Sequence, residues 1–136
     1  MSKRVLIVDD ARIIRALIKN ALTLAGYEVV GEAQSGQEAV YLFGQLKPDL
    51  VTMDLIMPDM QGMEAIKRII SIDPKARIIV VSSLGQKLLA QDAIEAGAQA
   101  FIAKPFQPSD LISLANEIMD KKAEVKPSPV SGRDLV

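Results

Sequence analysis

Side chains that could do chemistry stand at the carboxyl ends of four short apolar runs. Asp9 and Asp10 follow the first run, Asp54 follows the third, Ser82 closes the fourth and Lys104 follows the fifth. If the runs are strands of one parallel sheet, these ends meet at one edge, which is where such sheets bind ligands. The sequence therefore predicts one pocket with three carboxylates, a hydroxyl and an ammonium group.

Three carboxylates in one pocket need a counter-ion, because like charges at short range disfavour ionisation. Mg²⁺ accepts a few carboxylates, keeps several waters and coordinates phosphate oxygens, so we expect it at Asp9, Asp10 and Asp54. Mn²⁺ should substitute for it. The chain has no cysteine and no histidine, which removes the usual ligands of zinc and copper.

A bound cation would make phosphoryl transfer possible, because this reaction depends on positioning the reactants and neutralising the phosphoryl oxygens. The charges of the remaining side chains then suggest their roles. Asp54 stands alone after a central run, and its carboxylate is the best candidate for a nucleophile that forms an acyl phosphate. Lys104 would neutralise one phosphoryl oxygen, and the Ser82 hydroxyl would donate a hydrogen bond to another.

Each of these residues also has a structural explanation. Asp10 could be the N-cap of the helix that follows it. Asp54 and Ser82 could be residues that end strands, and Lys104 could be a solvated edge residue. The functional interpretation depends on their occurring together, at the ends of four predicted strands.

The elements that must position these groups are strands that alternate with helices. Runs rich in β-branched residues predict buried strands at Arg4–Val8, Glu28–Ala33, Leu50–Met53, Arg77–Ser82 and Ala100–Ala103. Parallel strands joined by crossover helices build a sheet that is covered on both faces. We predict an α/β fold, a doubly wound five-stranded parallel sheet with five helices. If its order is flavodoxin-like, 2-1-3-4-5, the first and third strands are neighbours and bring the three carboxylates together.

Two helices carry specific signals. Ser35 and Glu38 have the spacing of a capping box at the start of the second helix, and the last helix should span about Pro108–Asp120. In the first helix, apolar residues with helical spacing form one face. They are Ile14, Leu17, Ile18, Ala21 and Ala25.

Composition limits the remaining possibilities. A chain of 136 residues with 49% apolar residues suits one globular domain, which we place at 1–120. The net charge of −1 and the lack of a dense basic cluster argue against direct binding to nucleic acid or to an anionic membrane. No secretory signal or membrane span is recognisable, which favours the cytoplasm. Residues 121–136 read as a flexible C-terminal tail, or as the start of a linker to an output domain.

Four passages together resemble the receiver domains of bacterial two-component response regulators, in particular the single-domain chemotaxis (CheY-like) type. They are VLIVDD at 5–10, PDLVTMDLIMPDMQG at 48–62, IIVVSS at 78–83 and FIAKPF at 101–106. The resemblance implies a phosphoryl group received on Asp54 from a histidine kinase, with Mg²⁺ held by Asp9, Asp10, Asp54 and the backbone carbonyl of Ile56. It also implies that Lys104 stabilises the phosphoryl group and that the Lys104–Pro105 bond is cis. Such a protein performs only its own phosphorylation and dephosphorylation.

The same resemblance implies a switch. Ser82 moves toward the phosphoryl group and Phe101 turns into the vacated space, which alters the face formed by the fourth helix, fifth strand and fifth helix. That face would control a partner such as a flagellar motor switch protein. Phe101 lacks the phenol that is often found at its position. We expect a monomer, with a phosphorylation-dependent dimer as the alternative.

Two hypotheses concern apolar residues near the site. Ile56 and Leu84 stand where polar side chains that assist water attack often lie in this family, which predicts slow self-hydrolysis. Ile13 lies about 100° from Ile14 around the first helix and would be exposed, where it could dock a kinase.

Three other functions would use the same fold. The chain could be a receiver that belongs to a longer transcriptional or effector regulator. A metal-dependent phosphohydrolase with an aspartyl-phosphate intermediate needs Asp-x-Asp, but Ile56 occupies the position of its second carboxylate. A flavin-binding module of the same fold needs a Ser/Thr/Gly-rich phosphate loop after the first strand, where this chain has Asp9-Asp10.

Overall fold

The computed structural model describes residues 3–58 and 60–120, apart from the side chain of Leu84. Its strands form one five-stranded parallel sheet of order β2-β1-β3-β4-β5, as the sequence predicted. The strands are β1 Arg4–Val8, β2 Glu28–Ala33, β3 Leu50–Met53, β4 Ile78–Ser83 and β5 Ala100–Lys104.

The last two strands extend further toward the site than the sequence indicated. β4 ends at Ser83 and β5 at Lys104, each one residue beyond its predicted end, because these two residues still pair across the ladder. Arg77, the predicted first residue of β4, lies just outside the strand, although its carbonyl still accepts a 2.9 Å hydrogen bond from the Val51 amide. The pairing therefore carries Lys104 to the edge of the sheet where β1 and β3 also end.

Five helices connect and cover the strands. They are α1 Arg12–Leu24, α2 Gly36–Leu46, α3 Gly62–Ile72, α4 Lys87–Glu95 and α5 Pro108–Asp120, with a 3₁₀ turn at Leu84–Gln86. At the start of α2, Ser35 Oγ accepts a 3.1 Å hydrogen bond from the Glu38 amide, as a capping box requires. The Glu38 carboxylate reaches back one residue further than the standard box, to the Gln34 amide at 2.8 Å.

Helix α1 differs from the sequence prediction at two points. Leu17 is 49% exposed, because the buried face of α1 is centred nearer to Ile18 and Leu22. The interpretation of Asp10 as a helix cap is also wrong. Ala11 is the N-cap residue of α1 and carries no capping side chain.

The core lies on both faces of the sheet. One apolar cluster fills the face covered by α2, α3 and α4, and a second fills the face covered by α1 and α5. Side chains of β1, β3 and β4 alternate between the two clusters, as expected for strands that are buried on both sides. Within the described ranges, the helices are too short or too polar to cross a bilayer. The tail expected at 121–136 lies outside the described residues.

Candidate functional site

The acidic cluster forms because β1 and β3 are parallel neighbours in matched register. Val8 pairs with Met53, so the residues that follow them emerge side by side. The Asp54 amide donates a 2.9 Å hydrogen bond to the Val8 carbonyl, which fixes this alignment beyond the strand ends. One carboxylate oxygen from each of Asp9, Asp10 and Asp54 lies within 4.8 Å of the other two.

Burial differs among the three carboxylates. Asp9 and Asp54 are buried, whereas Asp10 is exposed at the mouth of the pocket. Oδ1 of Asp9 accepts a 2.8 Å hydrogen bond from the Ala11 amide, which tightens the turn into α1. This turn carries Asp10 between two anchored residues and holds it near the buried pair.

Lys104 supplies the positive charge of the pocket. It ends β5, pairs with Ser83 and precedes a cis bond to Pro105, as the resemblance implied. Its Nζ lies 2.8 Å from Oδ2 of Asp9 and 3.5 Å from Oδ1 of Asp54. Because the side chain is largely buried and paired with two carboxylates, the interpretation of Lys104 as a solvated edge residue is wrong.

The electrostatics of the pocket bear most strongly on Asp54. Burial, followed by the negative charge of Asp9, raises the pKa of Asp54 to about 6, although Lys104 and the Ile56 amide oppose the shift. The Ile56 amide contributes only a weak hydrogen bond, 3.5 Å from Oδ1. The pocket thus holds more negative charge than its own lysine balances.

That excess suits a small divalent cation. The donor atoms are all carboxylate oxygens, which hard cations such as Mg²⁺ prefer, and one oxygen from each carboxylate lies within 4.8 Å of the other two. The residues present therefore fit the magnesium site that the sequence predicted.

The other residues singled out from the sequence lie on β4, on β5 and in the loop after β3. Ser82 is buried near the end of β4 and pairs with Ala103. Phe101 pairs with Val80, is partly buried, and packs against the apolar cluster under α2, α3 and α4. Ile56 is 45% exposed directly after Asp54 and Leu55.

Ile13 lies on the outer surface of α1 and is 71% exposed, as the helical spacing predicted. It stands one turn or less from the acidic residues that precede α1. The side chain of Leu84, the second apolar residue of that hypothesis, lies outside the described part of the chain.

Two residues of the site escaped the sequence reasoning. Gly62 donates a 2.9 Å hydrogen bond from its amide to the Leu55 carbonyl, and any Cβ there would meet the Asp54 carbonyl oxygen. Arg15 is buried in α1 and contacts the backbone of Asp9. The sequence did hold a signal for Arg15, because an arginine between Ile14 and Ile18 lies on the side of the helix that is predicted to be buried.

Comparisons with known proteins agree with this geometry. The family model described as the response regulator receiver domain matches residues 5–116. The chain is 55% identical over 118 residues to the chemotaxis protein CheY of Thermotoga maritima, and the match covers 87% of this chain and 98% of that protein. It is 48% identical over 120 residues to the chemotaxis protein CheY of Bacillus subtilis, covering 88% of this chain and all of that one.

A solved structure shares the fold. It is the crystal structure of a complex of CheX, CheY, BeF₃ and Mg²⁺ from Borrelia burgdorferi, similar with a TM-score of 0.83 and 32% identity over 87% of this chain and 90% of the matched one. The family match covers both strands that carry the acidic cluster and the strand that carries Lys104. The chain belongs to the family of response regulator receiver domains.

Proposed function

We propose that this chain is a phosphorylation-dependent signalling switch that receives a phosphoryl group on Asp54 from a histidine kinase. The observation that carries the proposal is the placement of the buried Asp54 carboxylate, which lies within 4.8 Å of two further carboxylates and 3.5 Å from the Lys104 ammonium group. Such a pocket can hold a cation and a phosphoryl group together, since it combines carboxylate oxygens for the cation with an ammonium group for the phosphoryl oxygens.

In this proposal Asp9, Asp10 and Asp54 hold Mg²⁺, with the Ile56 backbone carbonyl as a further ligand. When bound, Mg²⁺ neutralises the carboxylates and the phosphoryl oxygens. A carboxylate oxygen of Asp54 attacks phosphorus, and an O–P bond forms as the P–N bond to the donor histidine breaks. The leaving imidazole recovers its proton from solvent. Lys104 and the Ser82 hydroxyl then stabilise the new phosphoryl oxygens.

The proposed output is a change in the surface formed by α4, β5 and α5. Ser82 and Phe101 lie on adjacent strands, β4 and β5, so a shift of the Ser82 hydroxyl toward a phosphoryl group would open space beside Phe101. Phosphorylation would then favour the conformation with Phe101 turned into this space over the conformation with Phe101 in its original position. Phe101 contributes shape to that surface and no hydroxyl group.

The relatives support a role in chemotaxis, since two proteins at 55% and 48% identity are named as chemotaxis CheY proteins. The Borrelia complex, which contains CheY with Mg²⁺ and a partner protein, supports both the choice of cation and regulation through protein contacts. We therefore propose a histidine kinase as donor and a component such as a flagellar motor switch protein as target, with the chain acting in the cytoplasm as a monomer.

Intact-mass measurement tests the central step. Incubation with acetyl phosphate and Mg²⁺ should add one phosphoryl group, and the adduct should be absent from Asp54→Ala and from wild type in excess EDTA. Asp92→Ala, which removes an exposed carboxylate on α4, is the matched control and should retain the adduct. An adduct that persists in Asp54→Ala would overturn the assignment.

A second measurement addresses the pathway. A pull-down with a flagellar motor switch component, with and without the adduct, should show capture that depends on phosphorylation. Equal capture in both states would argue against the switch, and no capture in either would argue against that partner.

A further inference from the structure

Arg15 is a basic side chain in the interior. It is 8% exposed, and among the described residues it is the one arginine or lysine that is buried. Its guanidinium group donates from Nη1 to the Asp9 carbonyl oxygen at 2.7 Å and from Nε to Oε1 of Glu32 at 3.0 Å. Burying an arginine is costly unless its hydrogen bonds are made, so this geometry indicates a specific role.

Asp9 is the residue on which these contacts converge. Its amide donates to the Ala33 carbonyl at 3.0 Å, and its own carbonyl accepts from Arg15. Its two carboxylate oxygens accept from the Ala11 amide and from Lys104 Nζ, each at 2.8 Å. Every polar atom of Asp9 is therefore engaged, and Arg15 is the contact that ties its backbone to α1.

Glu32 holds the arginine in place. It lies on β2 next to Ala33, which pairs with Val8 and accepts from the Asp9 amide. Arg15 thus bridges β2 and the end of β1 from a position one turn into α1. The exposed Lys19 also reaches Glu32, at 3.5 Å, but no contact joins it to Asp9 among the described hydrogen bonds.

We propose that Arg15, oriented by Glu32, is a positioning residue that fixes the turn through Asp9 and Ala11 and thereby presents the carboxylates of Asp9 and Asp10 to a divalent cation. The inference rests on the proposed function, because it concerns the same acidic pocket. It adds a residue outside the pocket whose loss should weaken the site without removing any ligand.

A role of Arg15 through its charge and a role in positioning predict opposite changes in the affinity for a cation when the residue is replaced. If the guanidinium acted only through its charge, its removal would make the surroundings more negative and a cation would bind more tightly. If it fixes the turn, its removal frees the Asp9 carbonyl and loosens the ligands, and the cation binds more weakly. Partners that orient metal ligands typically change the affinity by about tenfold or more when they are mutated.

The experiment measures Mg²⁺ binding to the full chain by isothermal titration calorimetry for wild type, Arg15→Gln, Arg15→Lys and Lys19→Met. We expect the Kd to rise about tenfold in Arg15→Gln and to rise less in Arg15→Lys, which keeps the charge but has one donor nitrogen in place of the two that reach Asp9 and Glu32. Lys19→Met is the control for charge, because it removes a positive charge bound to the same Glu32. It should leave the Kd unchanged or slightly lower.

A readout without metal accompanies the titration. In excess EDTA, hydrogen exchange of the Ala11 amide should be faster in Arg15→Gln than in wild type, because the Asp9 carboxylate that accepts from this amide is no longer fixed. A role in overall stability alone would lower the melting temperature and speed exchange at Ala11 by no larger a factor than at the amides of α1.

An unchanged or lower Kd in folded Arg15→Gln would overturn the inference. If that variant does not fold, the same criterion applies to Arg15→Lys, and an unchanged Kd there would overturn it. Failure of wild type to bind Mg²⁺ is a different result, because it would contradict the proposed function itself.

Discussion

Lys104 donates a 2.8 Å hydrogen bond to the carboxylate of Asp9, which lies 95 residues earlier in the chain. The lysine stands nearer to this carboxylate than to Asp54, at 3.5 Å. Lys104 is therefore a counter-ion of Asp9. A cation held by the same carboxylate would lie close to this ammonium group.

The lysine and the cation should thus compete. We expect Lys104→Met to bind Mg²⁺ several-fold more tightly, because a positive charge beside the ligands is removed. The same variant should form the Asp54 adduct more slowly at saturating Mg²⁺, because it no longer neutralises a phosphoryl oxygen. Calorimetry and intact mass measure the two effects. Lys87→Met, at an exposed lysine of α4, should change neither, and equal Mg²⁺ affinity in Lys104→Met would contradict the competition.

The pKa of Asp54 predicts a dependence of stability on pH in metal-free protein. Folding raises this pKa from 3.8 to about 6, so between these values the folded chain holds the proton more tightly than the unfolded chain. Stability therefore falls as the pH rises through this window, and the ionised carboxylate costs stability above it. In EDTA, Asp54→Asn should melt at a higher temperature than wild type at about pH 8, and the difference should shrink below about pH 5.

Thermal unfolding of both proteins across this range provides the measurement. Asp92→Asn is the control and should follow wild type throughout. A difference between Asp54→Asn and wild type that is the same at both ends of the range would show that ionisation is not its cause.

Ile56 should control the lifetime of the phosphoryl group. Its half-exposed apolar side chain stands beside Asp54 and offers no hydrogen bond to an attacking water. We expect Ile56→Asn to lose the adduct several-fold faster after the phosphoryl donor is removed, followed by intact mass. Ile72→Asn changes an isoleucine of similar exposure at the far end of α3 and should keep the wild-type rate. An unchanged rate in Ile56→Asn would rule out this explanation of a slow reaction.

Ile13 should affect the rate of phosphotransfer from the kinase and not the reaction of Asp54 with a small phosphoryl donor. An exposed isoleucine on the first turn of α1, beside the acidic pocket, is placed to contact a protein donor. Ile13→Glu should slow phosphotransfer from the kinase and leave the rate with acetyl phosphate unchanged. Leu24→Glu, about 16 Å further along α1, is the matched control and should alter neither rate. Equal loss with both donors would count against docking.

Replacement of two helical glycines by alanine should change the stability of the fold in opposite directions. A Cβ on Gly62 would meet the Asp54 carbonyl oxygen and lie 2.7 Å from Leu55 Cα, so Gly62→Ala must displace backbone beside the site and cost about 1–3 kcal/mol. Gly44, within α2, has open space around such an atom, and Gly44→Ala should stabilise the fold by about 0.5–1 kcal/mol. Urea unfolding measures both. Similar changes in the two variants would contradict the steric explanation.

The local sequence determined the elements. Strands that are buried on both faces consist of nearly continuous apolar residues, so their positions could be predicted to within one residue from runs such as Leu50–Met53. Chemistry-bearing residues directly after those runs also pointed to one edge of the sheet, because parallel strands end together. The Ser35 cap could be predicted for a similar reason, since its partner Glu38 is only three residues away.

The tertiary structure decided what depends on distances between remote residues. Whether Asp10 caps a helix, whether Leu17 is covered, and which carboxylate Lys104 contacts are set by how α1 and β5 pack against the sheet. The burial of Arg15 against Asp9 belongs to the same class, because it needs Glu32 of β2 to lie beside α1. Helical and strand periodicity assign a residue to a face, but only the packed fold determines which atoms it meets there.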